Sequence, residues 1–138
     1  MKIIEGKMAE DDRGSAVFVN DFDFKDVKRF FMIQNRSTDF VRAWHGHKQE
    51  ARYVLVVKGS ILLGAVEISD WDNPSAAVPQ KLVLTALKPQ VVYIPPNSAS
   101  GFKTLTDDAQ VMFFSTTTFE ESKNDDFRFP PDTWDIWT

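Results

Sequence analysis

Short apolar runs separated by turn residues constrain the fold of this chain more than any other feature. Residues 53–57 and 61–68 are two such runs, and Lys58-Gly59-Ser60 between them is typical of a β-hairpin turn. Apolar residues do not recur at i, i+3, i+4 and i+7 for long enough to indicate an amphipathic helix. The pattern therefore predicts an all-β sandwich or barrel. Further short runs of this kind, also flanked by turn residues, lie at residues 16–20, 29–34, 81–87, 91–94 and 110–117.

Length and composition exclude several classes of protein. A chain of 138 residues suits a single domain spanning residues 1–138. The absence of cysteine excludes disulfides, thiolate metal sites and a cysteine nucleophile. The net charge of -4 argues against nucleic acid as a partner. No apolar run approaches the ~18 residues of a membrane span, and the N-terminus lacks the apolar region of a signal peptide. We therefore expect a cytoplasmic protein without a membrane partner.

Three other segments carry specific expectations. Asp12-Arg13-Gly14 predicts a turn, and residues 41–57 predict a strand that is broken or bent. Residues 97–104, N-S-A-S-G-F-K-T, indicate a loop or a short strand. The tail at residues 125–138 has too many Pro and Asp residues for a helix, but its large aromatic side chains should dock against the rest of the protein.

The two histidines of the chain, His45 and His47, stand one residue apart beside Arg42, Lys48 and Arg52. Side chains at i and i+2 leave the same face of a strand, so we expect both rings to point into one cavity. Three interpretations remain open: a metal site, a pair of general acid and base, or two structural residues.

A metal site is disfavoured by the residue types available. Fe, Mn or Zn would need three or four His and carboxylate ligands, and only two histidines exist. Glu50 is the nearest carboxylate, but on a continuous strand it would face away from His47. The acid and base interpretation needs only the rings, because a neutral imidazole with a pKa near ~6.5 can accept or donate a proton. Neighbouring cations would lower the pKa of the histidines and could also hold a phosphate.

The motif R-A-W-H-G-H-K followed by Y-V-L-V-V-K-G-S resembles a known family of small enzymes. It is similar to the R-G-x-H-A-H-K signature of the 3,4-ketoisomerases that act on nucleotide-linked 4-keto sugars, which are RmlC-like cupins. D-D-R-G-S at 11–15 and V-Y-I-P-P-N-S-A-S-G-F-K-T-L at 92–105 resemble segments of the related dTDP-4-dehydrorhamnose 3,5-epimerases. V-K-R-F-F-M-I at 27–33 and the tail at 125–137 extend the similarity. The resemblance implies a cupin fold, the double-stranded β-helix or jelly-roll barrel.

The resemblance also implies roles for individual residues. His45 falls on the histidine that acts as base in the epimerases, and His47 on the second histidine of the ketoisomerases. Arg42 and Arg13 fall on arginines implied to bind the nucleotide diphosphate. Trp44 replaces a small residue, so it would crowd the sugar pocket or stack on a base.

Two positions argue against a metal cupin. Arg52 stands where metal-binding cupins have a glutamate ligand, and Ser100 stands where they have a histidine. Both are therefore expected to bind substrate, with no metal and no other cofactor.

The implied reaction is the ketoisomerase reaction. The epimerases use a tyrosine as general acid, and the aligned residue here is Phe114, which has no proton to donate. The substrate implied is a dTDP- or UDP-linked 4-keto-6-deoxy sugar, and the enzyme implied is a homodimer. A non-catalytic cupin that binds sugar nucleotides is the first alternative, and a metal-dependent cupin is the second.

Overall fold

The computed structural model describes residues 1–138 and consists almost entirely of antiparallel β-strands. The strands are β1 (Lys2–Glu5), β2 (Lys7–Asp11), β3 (Gly14–Phe18), β4 (Arg29–Ile33), β5 (Val41–His47), β6 (Arg52–Lys58), β7 (Ser60–Glu67), β8 (Gln80–Thr85), β9 (Gln90–Ile94), β10 (Ser98–Thr104), β11 (Gln110–Ser115) and β12 (Phe127–Arg128). One helical turn, α1 (Phe119–Ser122), and two 3-10 turns (Pro74–Ala76 and Pro131–Trp134) complete the chain.

Two five-stranded sheets form the barrel. The first has the strand order β1-β9-β6-β11-β4, and the second has the order β12-β5-β10-β7-β8. Strands β2 and β3 pair only with each other and form a separate hairpin. The all-β prediction is confirmed, and the β6–β7 hairpin and the break between β5 and β6 lie where the sequence predicted them.

The main core lies between the two sheets and follows from the alternation of side chains along each strand. Val54 and Val56 of β6 meet Ile61 and Leu63 of β7, and all four are buried. Phe113 of β11 joins the same cluster. The apolar residues that predicted strands are therefore the residues that join the sheets.

A second apolar cluster covers the outside of β5 and contains Trp44. Trp44 packs against Trp134 and Trp137 of the tail, with ring centroids 5.3 and 5.1 Å away. The indole nitrogens of Trp44 and Trp137 both donate to the carbonyl oxygen of Pro131. The expected docking of the tail aromatics is confirmed. The structure does not place Trp44 in a sugar pocket, because Trp44 alternates with His45 and faces the other side of the strand.

Residues 98–104 form a central strand rather than a loop. Strand β10 pairs with β5 on one side and with β7 on the other, and six of its seven residues are buried. Because most residues of β10 are polar or small, the strand lacks the apolar run by which a buried strand is predicted from sequence. Gly101 is needed there because a Cβ atom at this position would clash with the Cβ atom of Ala43. No helix of the chain is long and apolar enough to cross a membrane.

Truncation of the main core should destabilise the protein strongly. Ile61→Ala removes a fully buried side chain, and we expect it to lower the free energy of unfolding by about 2–5 kcal/mol. Urea denaturation measures the change. Leu87→Ala is the control, because Leu87 is 83% exposed, and its effect should stay within about 0.5 kcal/mol. Equal effects of the two variants would contradict this description of the core.

Candidate active site

A cavity of about 200 Å³ opens inside the barrel between the two sheets. Phenylalanine and aliphatic side chains form one part of its wall, among them Phe31, Leu63 and Phe113. Polar side chains form the other part. They are His45, Arg42, Arg52, Arg128 and Ser100. Four of these five were predicted from the sequence as site residues, and the structure brings those four together.

A β-bulge explains how Arg42 and His45 reach the same cavity. The two residues are three positions apart, so on a regular strand they would face opposite sides. On the neighbouring strand β10, Phe102 pairs with Arg42 and Ser100 pairs with His45. These two partners are only two positions apart. The extra residue on β5 turns one side chain toward the other, as bulges next to active sites do.

His45 is held in its neutral form by its surroundings. Burial, and then the charges of Arg128 and Arg52, lower the pKa of His45 from 6.5 to about 4. No protein group hydrogen-bonds its ring, and the ring lines the cavity wall. At neutral pH, His45 is therefore an uncharged imidazole that can accept a proton from a bound molecule.

His47 is buried more deeply, and protein groups occupy both sides of its ring. Nδ1 donates to the carbonyl oxygen of Asp125 at 2.6 Å. Nε2 is buried 3.3 Å from Oε2 of Glu50, although the two groups are not aligned for a hydrogen bond. Burial and the charge of Arg52 lower the pKa of His47, while Glu50 opposes this change. His47 does not line the barrel cavity; it reaches an outer cavity of about 250 Å³ that also contacts His45.

The expectation that Glu50 faces away from His47 was wrong. It assumed a continuous strand, but β5 ends at His47 and residues 48–51 turn before β6 begins. The carboxylate of Asp125 holds this turn, because it accepts the backbone N–H groups of Lys48, Gln49 and Glu50 at 2.7, 3.0 and 2.9 Å. The turn carries the side chain of Glu50 into the protein, beside His47.

Glu50 is a fully buried carboxylate with polar partners on several sides. Arg52 donates to Oε2, while Ser115 and Thr117 donate to Oε1 at 2.7 and 2.8 Å. Arg29 also contacts Oε1 at 3.3 Å. Burial alone would raise the pKa of Glu50, but Arg52, His47 and the two hydroxyl groups together lower it to about 2. Glu50 is therefore a permanent anion that balances the buried charge of Arg52.

Two of the predicted cations lie away from this cavity within the protomer. Arg13 is at the turn of the β2–β3 hairpin, where its side chain is 90% exposed and pairs with Asp11 at 2.6 Å. Lys48 lies over the rings of Trp71 and Phe127, at 5.2 and 4.8 Å from their centroids.

Two residues of the site were missed by the sequence analysis. Arg128 comes from β12, which pairs with β5 so that Arg128 stands opposite His45. The alternation in D-D-F-R-F could have indicated this edge strand. On β11, the residue that faces the cavity is Phe113, whereas Phe114 lies on the outer face against Phe22. The assignment of the general-acid position to Phe114 was therefore one residue off, although both residues lack a proton to donate.

The donor set at His45 does not suit a metal ion. No group of three His, Asp, Glu or Cys side chains converges in the structure. Ser100 and Arg52 line the cavity beside His45. A guanidinium that is always charged repels a cation and offers it no lone pair.

The fold and this cavity define a jelly-roll barrel of the cupin class, with a histidine among arginines in its interior. Comparison with known proteins identifies the family. The model of the dTDP-4-dehydrorhamnose 3,5-epimerase family matches residues 1–137, so the chain belongs to that family of nucleotide-sugar epimerases and isomerases. The resemblance seen in the sequence is confirmed. No curated protein sequence matches the chain.

Solved structures show the same fold at low sequence identity. The RmlC epimerase of Mycobacterium tuberculosis superposes with a TM-score of 0.72 at 20% identity, over 87% of this chain and 64% of that chain. A 3'-monoepimerase from Streptomyces bikiniensis has a TM-score of 0.79 at 17% identity, over 99% and 73% of the two chains. A 3,4-ketoisomerase from Helicobacter canadensis has a TM-score of 0.71 at 18% identity, over 99% and 96%. This chain thus spans less than two thirds of the mycobacterial epimerase and nearly all of the ketoisomerase.

The lowered pKa of His45 should make stability depend on pH. The unfolded chain binds a proton at His45 near pH 6.5, but the folded protein does so only near pH 4. The contribution is complete above pH 6.5 and is lost as the pH falls to 4, by about 1–2 kcal/mol after allowance for solvent screening of the partly exposed ring. Urea denaturation between pH 7 and 4.5 should show a steeper decline for the wild type than for His45→Asn. Identical slopes would contradict the buried, neutral state of His45.

Proposed function

We propose that this protein is a nucleotide-sugar isomerase of the 3,4-ketoisomerase type. The observation that carries the proposal is a neutral, accessible histidine in a cavity lined by three guanidinium groups. A volume of about 200 Å³ suits one sugar ring, since pockets for whole drug-sized ligands begin near ~300 Å³. The charged nucleotide diphosphate would then extend to the mouth, where arginine can hold phosphate oxygens.

The proposed reaction moves one proton between neighbouring carbons of a 4-keto-6-deoxy sugar linked to dTDP or UDP. The carbonyl at C4 acidifies the proton on C3, and His45 takes that proton. An enediolate forms, with its charge on the oxygen at C4, and the guanidinium of Arg52 stabilises that charge. The hydroxyl proton on the oxygen at C3 then passes to the oxygen at C4, and return of the carbon-bound proton from His45 to C4 leaves a carbonyl at C3 and a hydroxyl at C4. No atom is gained or lost, and no oxidant is needed.

The two histidines take unequal parts in this proposal. One base can serve both carbons, because C3 and C4 of a planar enediol present the same face to it. His45 lines the cavity and is assigned both transfers. Both nitrogens of the His47 ring already face protein groups, so His47 is assigned no proton transfer. It contributes through its position beside His45 and Arg52.

Ketoisomerase chemistry is favoured over 3,5-epimerisation by the absence of a phenol in the cavity. The cavity-facing residue of β11 is Phe113. The chain has two tyrosines, and Tyr53 and Tyr93 contact each other, with Tyr53 against Phe22 on the outer face of the first sheet. A tyrosine that could act as proton donor is therefore missing from the cavity of this protomer.

A non-catalytic sugar-nucleotide binding protein is the second candidate. The observation that favours it is the pKa of about 4 for His45, because a base so weak removes a carbon-bound proton slowly. Binding would use the same arginines without turnover. Both functions suit the cytoplasm, because a charged nucleotide-sugar does not cross membranes freely.

Proton NMR in D2O with a dTDP-linked 4-keto-6-deoxy-glucose separates these functions. We expect deuterium at C3 or C4 and the appearance of a 3-keto product. His45→Asn should abolish both while nucleotide binding persists, because the arginines remain. Exchange at C3 and C5 would indicate an epimerase instead. Ligand line broadening without exchange would indicate the binding protein, and retained turnover in His45→Asn would contradict the role of His45.

The proposed enzyme is a homodimer that pairs through the outer face of its first sheet. Phe30 and Met32 of β4 and Val57 of β6 are 67%, 48% and 45% exposed. Apolar patches of this kind mark interaction surfaces. The β2–β3 hairpin has no partner strand in its own protomer, and isolated hairpins are at best marginally stable. A partner subunit would give the hairpin a surface to pack on, and Arg13 at its turn could then reach the partner's cavity.

Phe30→Asp should convert this dimer into a monomer, because it places a charge in the apolar interface. Light scattering coupled to size-exclusion chromatography measures the mass. Leu87→Asp is the matched control, since Leu87 is exposed in the turn after β8. A monomeric wild type would refute the dimer. If Arg13 acts across the interface, mixed dimers of Arg13→Ala and His45→Asn should recover activity that neither variant has alone.

A further inference from the structure

The segment Glu50-Ala51-Arg52 places an acidic residue two positions before the cation of the cavity. The ionised side chain of Glu50 is completely removed from solvent. Removing a charge from water is costly unless it is paired and hydrogen-bonded. This chain satisfies Glu50 with two arginines and two hydroxyl groups, contributed by β4, β6, the last residue of β11 and the segment that follows β11. Such an arrangement fixes the carboxylate rigidly in relation to three strands.

The contact between Glu50 and Arg52 also determines which atoms of Arg52 remain available. Glu50 accepts from Nε of Arg52, and the two terminal nitrogens make no hydrogen bond to the protein. The guanidinium lies over the rings of Phe31 and Phe113, 5.3 and 5.9 Å from their centroids. Held at Nε and bounded by two rings, it offers its remaining N–H groups to the cavity in one orientation.

Glu50 bears on His47 as well. Its Oε2 atom, which accepts from Arg52, also lies 3.3 Å from Nε2 of His47. The cation of the cavity and the second histidine therefore share one carboxylate oxygen. A displacement of Glu50 would therefore change the surroundings of both groups.

We propose that Glu50 is a positioning residue of this active site, which fixes the guanidinium of Arg52 in the cavity. The proposal rests on the proposed function, in which Arg52 stabilises the enediolate. Glu50 acts through Arg52 and does not touch the substrate, because its side chain is enclosed by protein groups. Its effect on turnover must therefore disappear when Arg52 can no longer form the contact.

A double-mutant cycle tests this dependence. Glu50→Gln keeps the shape of the side chain but removes its charge. We expect kcat/KM to fall about 10- to 100-fold, which is the loss typical of replacing a residue that orients another functional side chain, as in metal sites. The loss should lie in kcat, since positioning acts on the transition state. In an Arg52→Gln background, the same substitution should cause little further loss. Additive losses in the double variant would overturn the proposal.

Two further variants guard against an effect on folding alone. Glu67→Gln removes an exposed carboxylate from the end of β7 and should leave kcat/KM unchanged. Ser115→Ala removes one hydrogen bond to Glu50 and leaves every charge in place. It should lower kcat several-fold in the wild type and have no effect beside Arg52→Gln. An equal effect in both backgrounds would show a purely structural role for the network.

Nitrogen-15 NMR tests the same proposal without a substrate. The Nε–H resonance of Arg52, assigned by its loss in Arg52→Gln, should exchange slowly with solvent in the wild type and become fast in Glu50→Gln. If the wild-type protein shows no isomerisation but this resonance behaves as expected, the proposed function fails and the positioning of Arg52 stands. Fast exchange in the wild type would refute the positioning itself.

Discussion

The carboxylate of Asp125 is the interaction on which the rest of the site depends. It accepts three consecutive backbone N–H groups from the turn after β5, and the carbonyl oxygen of the same residue accepts from His47. A carboxylate bound by several N–H groups is both strongly held and well oriented. This contact directs Glu50 inward and fixes His47. It also anchors the tail, so that β12 can pair with β5 and bring Arg128 to the cavity.

The electrostatics of the cavity follow from how its charges are compensated. Glu50 balances the charge of the largely buried Arg52, and the exposed Arg128 is paired with Asp126 at 3.2 Å. His45 has no carboxylate partner of its own, so burial and the nearby guanidinium groups keep it neutral. A neutral base beside fixed cations suits the removal of a proton next to a carbonyl, because the product is an anion that the cations stabilise.

Much of the fold could be predicted from local patterns, but the site only in part. The strands around residues 53–57 and 61–68 follow from alternation and turns, which depend on neighbouring residues alone. His45, Arg42, Arg52 and Ser100 were predicted from motif and resemblance, and they do share a cavity. The incorrect predictions concern residues whose side-chain direction depends on where a strand ends or on which of its residues face the cavity. On β11 the prediction was one position too far along the chain, at Phe114 instead of Phe113. Because β5 ends at His47, the side chain of Glu50 points inward and not away from His47 as predicted.

The sequence by itself determined the strand class, the paired histidines, the absence of thiol chemistry and the family resemblance, because these are properties of composition, period and motif. Only the tertiary structure decided which side chains share the cavity. The bulge between β5 and β10, the clamp at Asp125 and the docking of the tail each depend on contacts between residues far apart in the chain. Such contacts leave no periodic signal in the sequence. The roles of Arg128 and Glu50 and the outward position of Trp44 can therefore be recognised only in the folded structure.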